Sequence, residues 1–308
     1  MENASFPTSL YFVMYQNQGH NRYIFFTVGL TLYCAIISFN VIIPLVILRV
    51  KVLHQPMYLL ISCLSFNSLY GTAGLFPRLL TDFLSDVHTI SPPACYIQTF
   101  VVHTYASYEF TILTLMAYDR YVAICKPLQY HSIMTAKVLV SLITAALLFP
   151  VFSIGFAVFM SARHMLCGNE LTKLYCSGWS INRLSCEDTT ANNIIGLFVL
   201  VITVFLPMGF ILYSYIRILI ICQRRSSEFK AKAFHTCLPH IVTFVNYSTT
   251  VFCEIVTSRY EPGELPEVVT VVLSLEFLII PPVLNPLIYG FKCPDIRREI
   301  NCLFKKWR

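Results

Sequence analysis

The chain has 308 residues, with 22 Lys+Arg, 16 Asp+Glu, and charged residues making up only 12% of the total, where a soluble domain runs near ~25%. Hydrophobic residues reach 56%, aromatics 14% and the mean hydropathy is +0.65. These values exclude a soluble globular domain, which would lack the charge to cover its surface, and a disordered chain, which would be poor in aromatics. They imply one integral membrane domain, which the helical stretches that follow make an all-α integral membrane protein.

A helix that crosses a ~30 Å hydrocarbon core needs about 20 mostly apolar residues. Residues 1–22 form a polar N-terminal segment with a glycosylation sequon at Asn3-Ala4-Ser5. No basic region followed by an apolar core precedes residue 22, so the first span is itself the expected insertion signal. Seven stretches then qualify as spans: about 23–48, 56–80, 94–124, 136–160, 192–222, 232–258 and 265–290. Several contain Pro, Asn, Ser or Glu, which fits helices packed on one another more than on lipid. A second sequon, Asn246-Tyr247-Ser248, falls inside the sixth span and is read as packing. Residues 292–308 follow as a tail. Ile296, Ile300, Leu303, Phe304 and Trp307, set among basic residues, mark it as a short amphipathic helix lying on the membrane, where its Lys/Arg would be drawn to anionic lipid. The absence of an internal repeat argues against an inverted-repeat transporter.

The basic residues give an orientation. Sixteen of the 22 lie on the flanks shared with the C-terminus and six on those shared with the N-terminus. The positive-inside rule therefore places the C-terminus in the cytosol and the N-terminus outside, which requires an odd number of spans. Cys95, at the start of the third span, and Cys167, Cys176 and Cys186, in the long connection from Ser161 to Ala191, then face an oxidising compartment. Four cysteines allow three pairings, and a metal site with His164 is the rival reading. Cys293 and Cys302, just past the last span, are candidates for palmitoylation.

The strongest pattern is Met116-Ala117-Tyr118-Asp119-Arg120-Tyr121-Val122-Ala123-Ile124-Cys125-Lys126-Pro127-Leu128, at the inner end of the third span. With it go Pro56-Met57-Tyr58, Ser214-Tyr215, Lys232-Ala233-Phe234-His235-Thr236-Cys237-Leu238-Pro239-His240 and Pro282-Val283-Leu284-Asn285-Pro286-Leu287-Ile288-Tyr289. In this order and spacing, over nearly all of residues 23–300, the set resembles the odorant receptors among the rhodopsin-like G-protein-coupled receptors. Asn67-Ser68-Leu69-Tyr70-Gly71-Thr72-Ala73 further resembles their fish-type members. The resemblance implies a seven-transmembrane helix bundle with a short amphipathic C-terminal helix. It also implies disulfides Cys95–Cys176 and Cys167–Cys186, a small odorant as ligand and a heterotrimeric G protein of the stimulatory, olfactory type as partner.

The residues carry a physical reading of their own. Asp119 can hold Arg120 as an ion pair, and breaking that pair frees a rigid five-donor guanidinium for the backbone carbonyls of an entering helix. Tyr215, His240 and Tyr289 lie at similar depth and are candidates to capture it. Asn285-Pro286 removes a helix hydrogen bond and makes a hinge. Glu109 lies 11 residues before Arg120, about 16 Å along a helix at ~1.5 Å per residue. A carboxyl group at that depth must be protonated, paired or bound to a cation. The resemblance implies a sodium site there, shared with an Asp in the second span. Here that position is Ser68, so protonation and sodium stay open as alternatives, and no other cofactor is expected.

The resemblance further places the ligand among Val102, His103, Ala106, Ser107 and Phe110 of the third span. His103 and Ser107 share a face with Thr99. Leu200 and Thr203 would face the same cavity from the fifth span, and Val251, Ile255 and Arg259 from the sixth, with Arg259 either in a surface salt bridge or an anchor for an anionic or polar ligand. Val102 stands where amine receptors carry Asp, and residues 265–290 contain no Lys to bind retinal. The expected function is thus an odorant receptor of the plasma membrane that raises cyclic AMP. A same-fold receptor for an endogenous metabolite and a channel or transporter are the alternatives. No enzymatic motif occurs in the cytosolic segments and no nucleic-acid partner is expected.

Overall fold

The computed structural model of the protein describes residues 7–15, 21–223, 225–258 and 267–306. Asn3, Arg259 and Trp307 lie outside the described residues, and the side chains of Leu303 and Phe304 are not among those described. Seven long helices make up most of the described chain: α1 (Arg22–Arg49), α2 (Pro56–Leu84), α3 (Pro92–Cys125), α4 (Ala136–Ala162), α5 (Thr190–Gln223), α6 (Ser227–Thr257) and α7 (Glu267–Lys292). An eighth, α8 (Pro294–Lys306), leaves the bundle at 86° to the end of α7.

Local chemistry sets several boundaries. Pro56 and Pro92 open α2 and α3 at first-turn positions where no N–H is needed. Thr135 and Ser226 cap α4 and α6 by accepting the amides of Val138 and Phe229. Pro207 follows a wide π turn, Val201–Phe205, within α5, a common adjustment where a ring removes a helix donor. In α7, Pro286 cannot donate to the carbonyl of Pro282. The buried Asn40 of α1 supplies that bond instead, at 2.8 Å, so the hinge in the last helix has a partner on the first.

By length and composition α1, α2, α4 and α5 are each apolar enough to cross a membrane, and α7 qualifies only jointly with α8. The difference from the seven expected spans has a physical reason. α3 runs through the centre, packed on α2, α4, α5 and α6, and so hides Gln98, Thr99, Thr104, Ser107, Glu109 and Asp119 from lipid. α4, at the periphery, shows the opposite face, with Phe149, Phe152, Phe156 and Phe159 all exposed. Such a surface is stable against acyl chains and not against water. Gly71 and Gly74 permit a close approach of α2 to α3, since a Cβ would sit 2.3 Å from the Tyr105 ring at the first and 2.4 Å from Val101 at the second.

A small sheet closes one end. β1 (Leu10–Phe12) pairs antiparallel with β2 (Thr89–Ile90) and parallel with β3 (Glu170–Leu171). Two disulfides sit at this same end. Cys95–Cys176 ties the start of α3 to the long connection and Cys167–Cys186 closes a loop within it, with Cα separations of 5.4 and 5.2 Å. These are the pairs the resemblance implied, and they consume every sulfur the alternative metal site would have needed. At the opposite end, Ile296 of α8 is fully buried and Ile300 packs beside it, while Cys293 is half-buried and Cys302 exposed.

Candidate functional site

The Cys95–Cys176 bond draws the segment around Tyr175 across the mouth of the bundle. The Cys176 amide donates to Gln98 Oε1 at 2.9 Å, and Gln98 in turn donates to the Gly74 carbonyl. Beneath this lid lies a cavity of about 240 Å³. α3 contributes Val102, His103, Ala106 and Ser107 to its wall, as expected. Leu200 and Thr203 reach it from α5, and Val251 and Ile255 from α6. Phe110 is placed deeper, fully buried, with its ring 4.9 Å from that of Tyr247, and does not line the space. It supports the floor instead.

Several contributions were not anticipated, including Ile154 of α4 and Phe277 of α7. Tyr175 and Ile181 cover the cavity from the long connection, Asn192 enters from the first turn of α5, and Glu254 enters from α6. The signal for Tyr175 was present in Cys176, since a disulfide to the top of α3 leaves its neighbours nowhere else to lie. Glu254 Oε1 accepts the Tyr175 hydroxyl at 2.5 Å and forms an ion pair with Lys173. Burial, and then the adjacent carboxylate, raise the Tyr175 phenol well above its ordinary pKa, so it stays a donor. Lys173 and Glu254 are both largely shielded from solvent. Removing one member of such a pair costs about 3–5 kcal/mol, while replacing both can be nearly neutral. Lys173→Met should therefore lower the melting temperature of the purified protein more than Lys173→Met combined with Glu254→Gln. Equal losses would show that the pair is not coupled.

Halfway along α3, Glu109 is fully buried. One carboxyl oxygen accepts from Asn67 Nδ2 at 2.8 Å and the other from Asn285 Nδ2 at 2.6 Å, so α2, α3 and α7 meet on one side chain. Asn67 also donates to the Tyr105 carbonyl at 3.1 Å. A cation at this point would have one carboxyl group and the neutral oxygens Ser68 Oγ and Asn67 Oδ1, both buried without a partner. Each carboxyl oxygen already accepts one amide hydrogen and keeps a further lone pair. Glu109 is thus partnered by the two amides without a cation.

At the far end of α3, Arg120 donates to Asp119 Oδ2 through Nε at 3.0 Å and also through Nη2. Asp119 is fully buried, and its other oxygen accepts the Tyr130 hydroxyl at 2.7 Å. Tyr130 belongs to the turn Tyr130–Ile133 between α3 and α4. Its phenol is raised above the usual range by burial and by Asp119. Tyr121 packs against the core beside this group. His240 Nδ1 lies 3.0 Å from the Tyr289 hydroxyl, whereas the Tyr215 hydroxyl is buried with no partner. Of the three residues placed near Arg120 by sequence, two bond each other here and one is unspent. On α7, Asn285 joins Glu109 directly and Pro286 follows it in the same helix.

Seven helices around a lidded cavity, with an arginine–aspartate pair at the opposite end of the central helix, make the fold of a rhodopsin-like receptor. The crystal structure of squid rhodopsin superposes with a TM-score of 0.74 at 16% identity, covering 92% of this chain and 86% of that one. The chain belongs to the olfactory receptor family. The family's sequence model, described as Olfactory receptor, matches residues 30–306. Olfactory receptor 52K1 of Homo sapiens is 35% identical over 256 residues, 82% of this chain and 81% of that protein. Olfactory receptor 51G2 of Homo sapiens is 34% identical over 98% of this chain and 97% of its own length. Olfactory receptor 1 of Rattus norvegicus is 32% identical over 93% and 91%. The protein is accordingly a multi-pass membrane receptor and not an enzyme.

Proposed function

We propose that the chain binds a small odorant in the lidded cavity and, when occupied, activates a stimulatory, olfactory-type G protein to raise cyclic AMP. In this reading the disulfide end faces outward and the Arg120 end faces the cytosol, which the sixteen-to-six division of basic residues supports. The observation that carries it is the continuity of α3, which holds His103 and Ser107 at the cavity, Glu109 at its middle and Asp119–Arg120 at its end. A ligand that binds one bundle arrangement better than another shifts the population by that difference. In the favoured arrangement Arg120 leaves Asp119, turns to the unspent Tyr215 hydroxyl and receives the G-protein helix. No cation takes part at Glu109.

The test is an odorant panel applied to cells that display the receptor, with cyclic AMP as readout and the stimulatory α subunit present or omitted. A saturable rise that needs the α subunit is expected. A ligand-evoked ion current without cyclic AMP would overturn the reading. Replacing external sodium with choline should leave the half-maximal concentration of an active odorant unchanged, and a shift of about tenfold would restore the cation.

A further inference from the structure

The cavity wall contains hydrogen-bonding atoms that no described residue engages. His103 Nδ1 lies 2.8 Å from the Thr99 carbonyl. A carbonyl only accepts, so Nδ1 carries the ring hydrogen and Nε2 of the neutral imidazole is left as an acceptor. That nitrogen has no partner among the described residues. Ser107, one helical turn further along the same face, is 2% exposed and its hydroxyl likewise has no partner among the described residues. Asn192, across the cavity, is 4% exposed, and both its amide nitrogen and its amide oxygen are buried without a partner. Leaving such groups unbonded costs free energy that a ligand can recover.

We propose, resting on the odorant-receptor reading, that the His103–Ser107 face selects ligands with a neutral hydroxyl group, an apolar alcohol or phenol. The ligand O–H donates to His103 Nε2, its oxygen accepts from the Ser107 hydroxyl, and the Asn192 amide supplies a further polar contact. The hydrocarbon part lies against Val102, Leu200, Val251 and Ile255. Ethers, aldehydes and esters have no hydrogen to give Nε2. A carboxylate has none either, and it would share a small space with Glu254, the one acidic side chain among the described lining residues. An ammonium group gains little from that carboxylate, which already holds Lys173 and the Tyr175 hydroxyl.

The experiment compares matched sets on linear, cyclic and aromatic skeletons: alcohol or phenol, methyl ether, aldehyde, carboxylic acid and amine. Cyclic AMP is read in cells co-expressing the stimulatory α subunit, with surface display measured in parallel. The hydroxyl member of an active skeleton should act at a concentration about tenfold or more below its methyl ether, about 1.4 kcal/mol. His103→Phe should shrink that ratio, because only the hydroxyl member gives a hydrogen to Nε2, whereas Ser107→Ala should weaken alcohol and ether together, since both offer Ser107 an oxygen. If His103→Phe fails to reach the surface, His103→Leu, which likewise lacks the acceptor, decides. An ether, aldehyde or acid that matches the alcohol overturns the inference and leaves the receptor reading intact, as does an undiminished hydroxyl preference in the displayed His103 variant. Silence of every compound on displayed receptor overturns the receptor reading, and this inference with it.

Discussion

Glu109→Ala is expected to cost the receptor about 2–4 kcal/mol of stability and to remove most of it from the cell surface. The carboxyl group joins three helices, and the two amides it bonds fare differently without it. Asn67 keeps the Tyr105 carbonyl, whereas Asn285 has its side-chain amide directed at Glu109 alone among the described residues. One buried donor orphaned costs about 1–3 kcal/mol, and the lost volume adds to it. Glu109→Gln should fall between, because its carboxamide still offers an acceptor to one asparagine but turns a donor on the other. Melting temperatures of the three proteins in lipid nanodiscs check the order. A Glu109→Ala protein as stable as the parent would show that the three-helix junction is not held by this side chain.

Asp119→Asn should raise ligand-free cyclic AMP, and Arg120→Ala should abolish the response to any odorant. The arginine is held by a neighbouring carboxylate that is itself fixed by Tyr130. Neutralising Asp119 keeps an acceptor for Tyr130 and removes the charge attraction. A loss of about 1–2 kcal/mol changes the ratio of the two bundle states by roughly 5–30-fold. Tyr130→Phe loosens the carboxylate without discharging it, so its basal signal should be raised less. Basal cyclic AMP normalised to surface receptor distinguishes the three. Unchanged basal activity in Asp119→Asn would mean that the pair does not restrain Arg120.

Much of this organisation was legible before any coordinates. Helix positions follow from long apolar stretches broken by charge, and Asp119-Arg120-Tyr121 and Asn285-Pro286 stand out because their chemistry is costly inside a bilayer. What escaped was set by contacts between distant parts of the chain. Nothing local to Asn40 indicates that its amide serves the carbonyl freed by Pro286, 246 residues later. The amide pair that satisfies Glu109 required knowing which faces of α2 and α7 turn towards α3. The resemblance places Phe110 among the ligand contacts, whereas it lies one turn deeper than the cavity residues and packs on Tyr247. Nothing local to Glu254 in the sequence indicates what it bonds. Lys173 and Tyr175, which bond it, come from a connection held in place by distant contacts such as the disulfide and the pairing of β3 with β1.

The most direct measurement is nucleotide exchange with purified components. Receptor in nanodiscs, a stimulatory G protein and an odorant active in cells should together take up GTPγS faster than receptor and G protein alone. Arg120→Ala receptor, bound to the same odorant, should give no acceleration. Odorant-independent uptake, or full acceleration by the Arg120→Ala protein, would contradict a receptor whose cavity controls an arginine switch at the other end of α3.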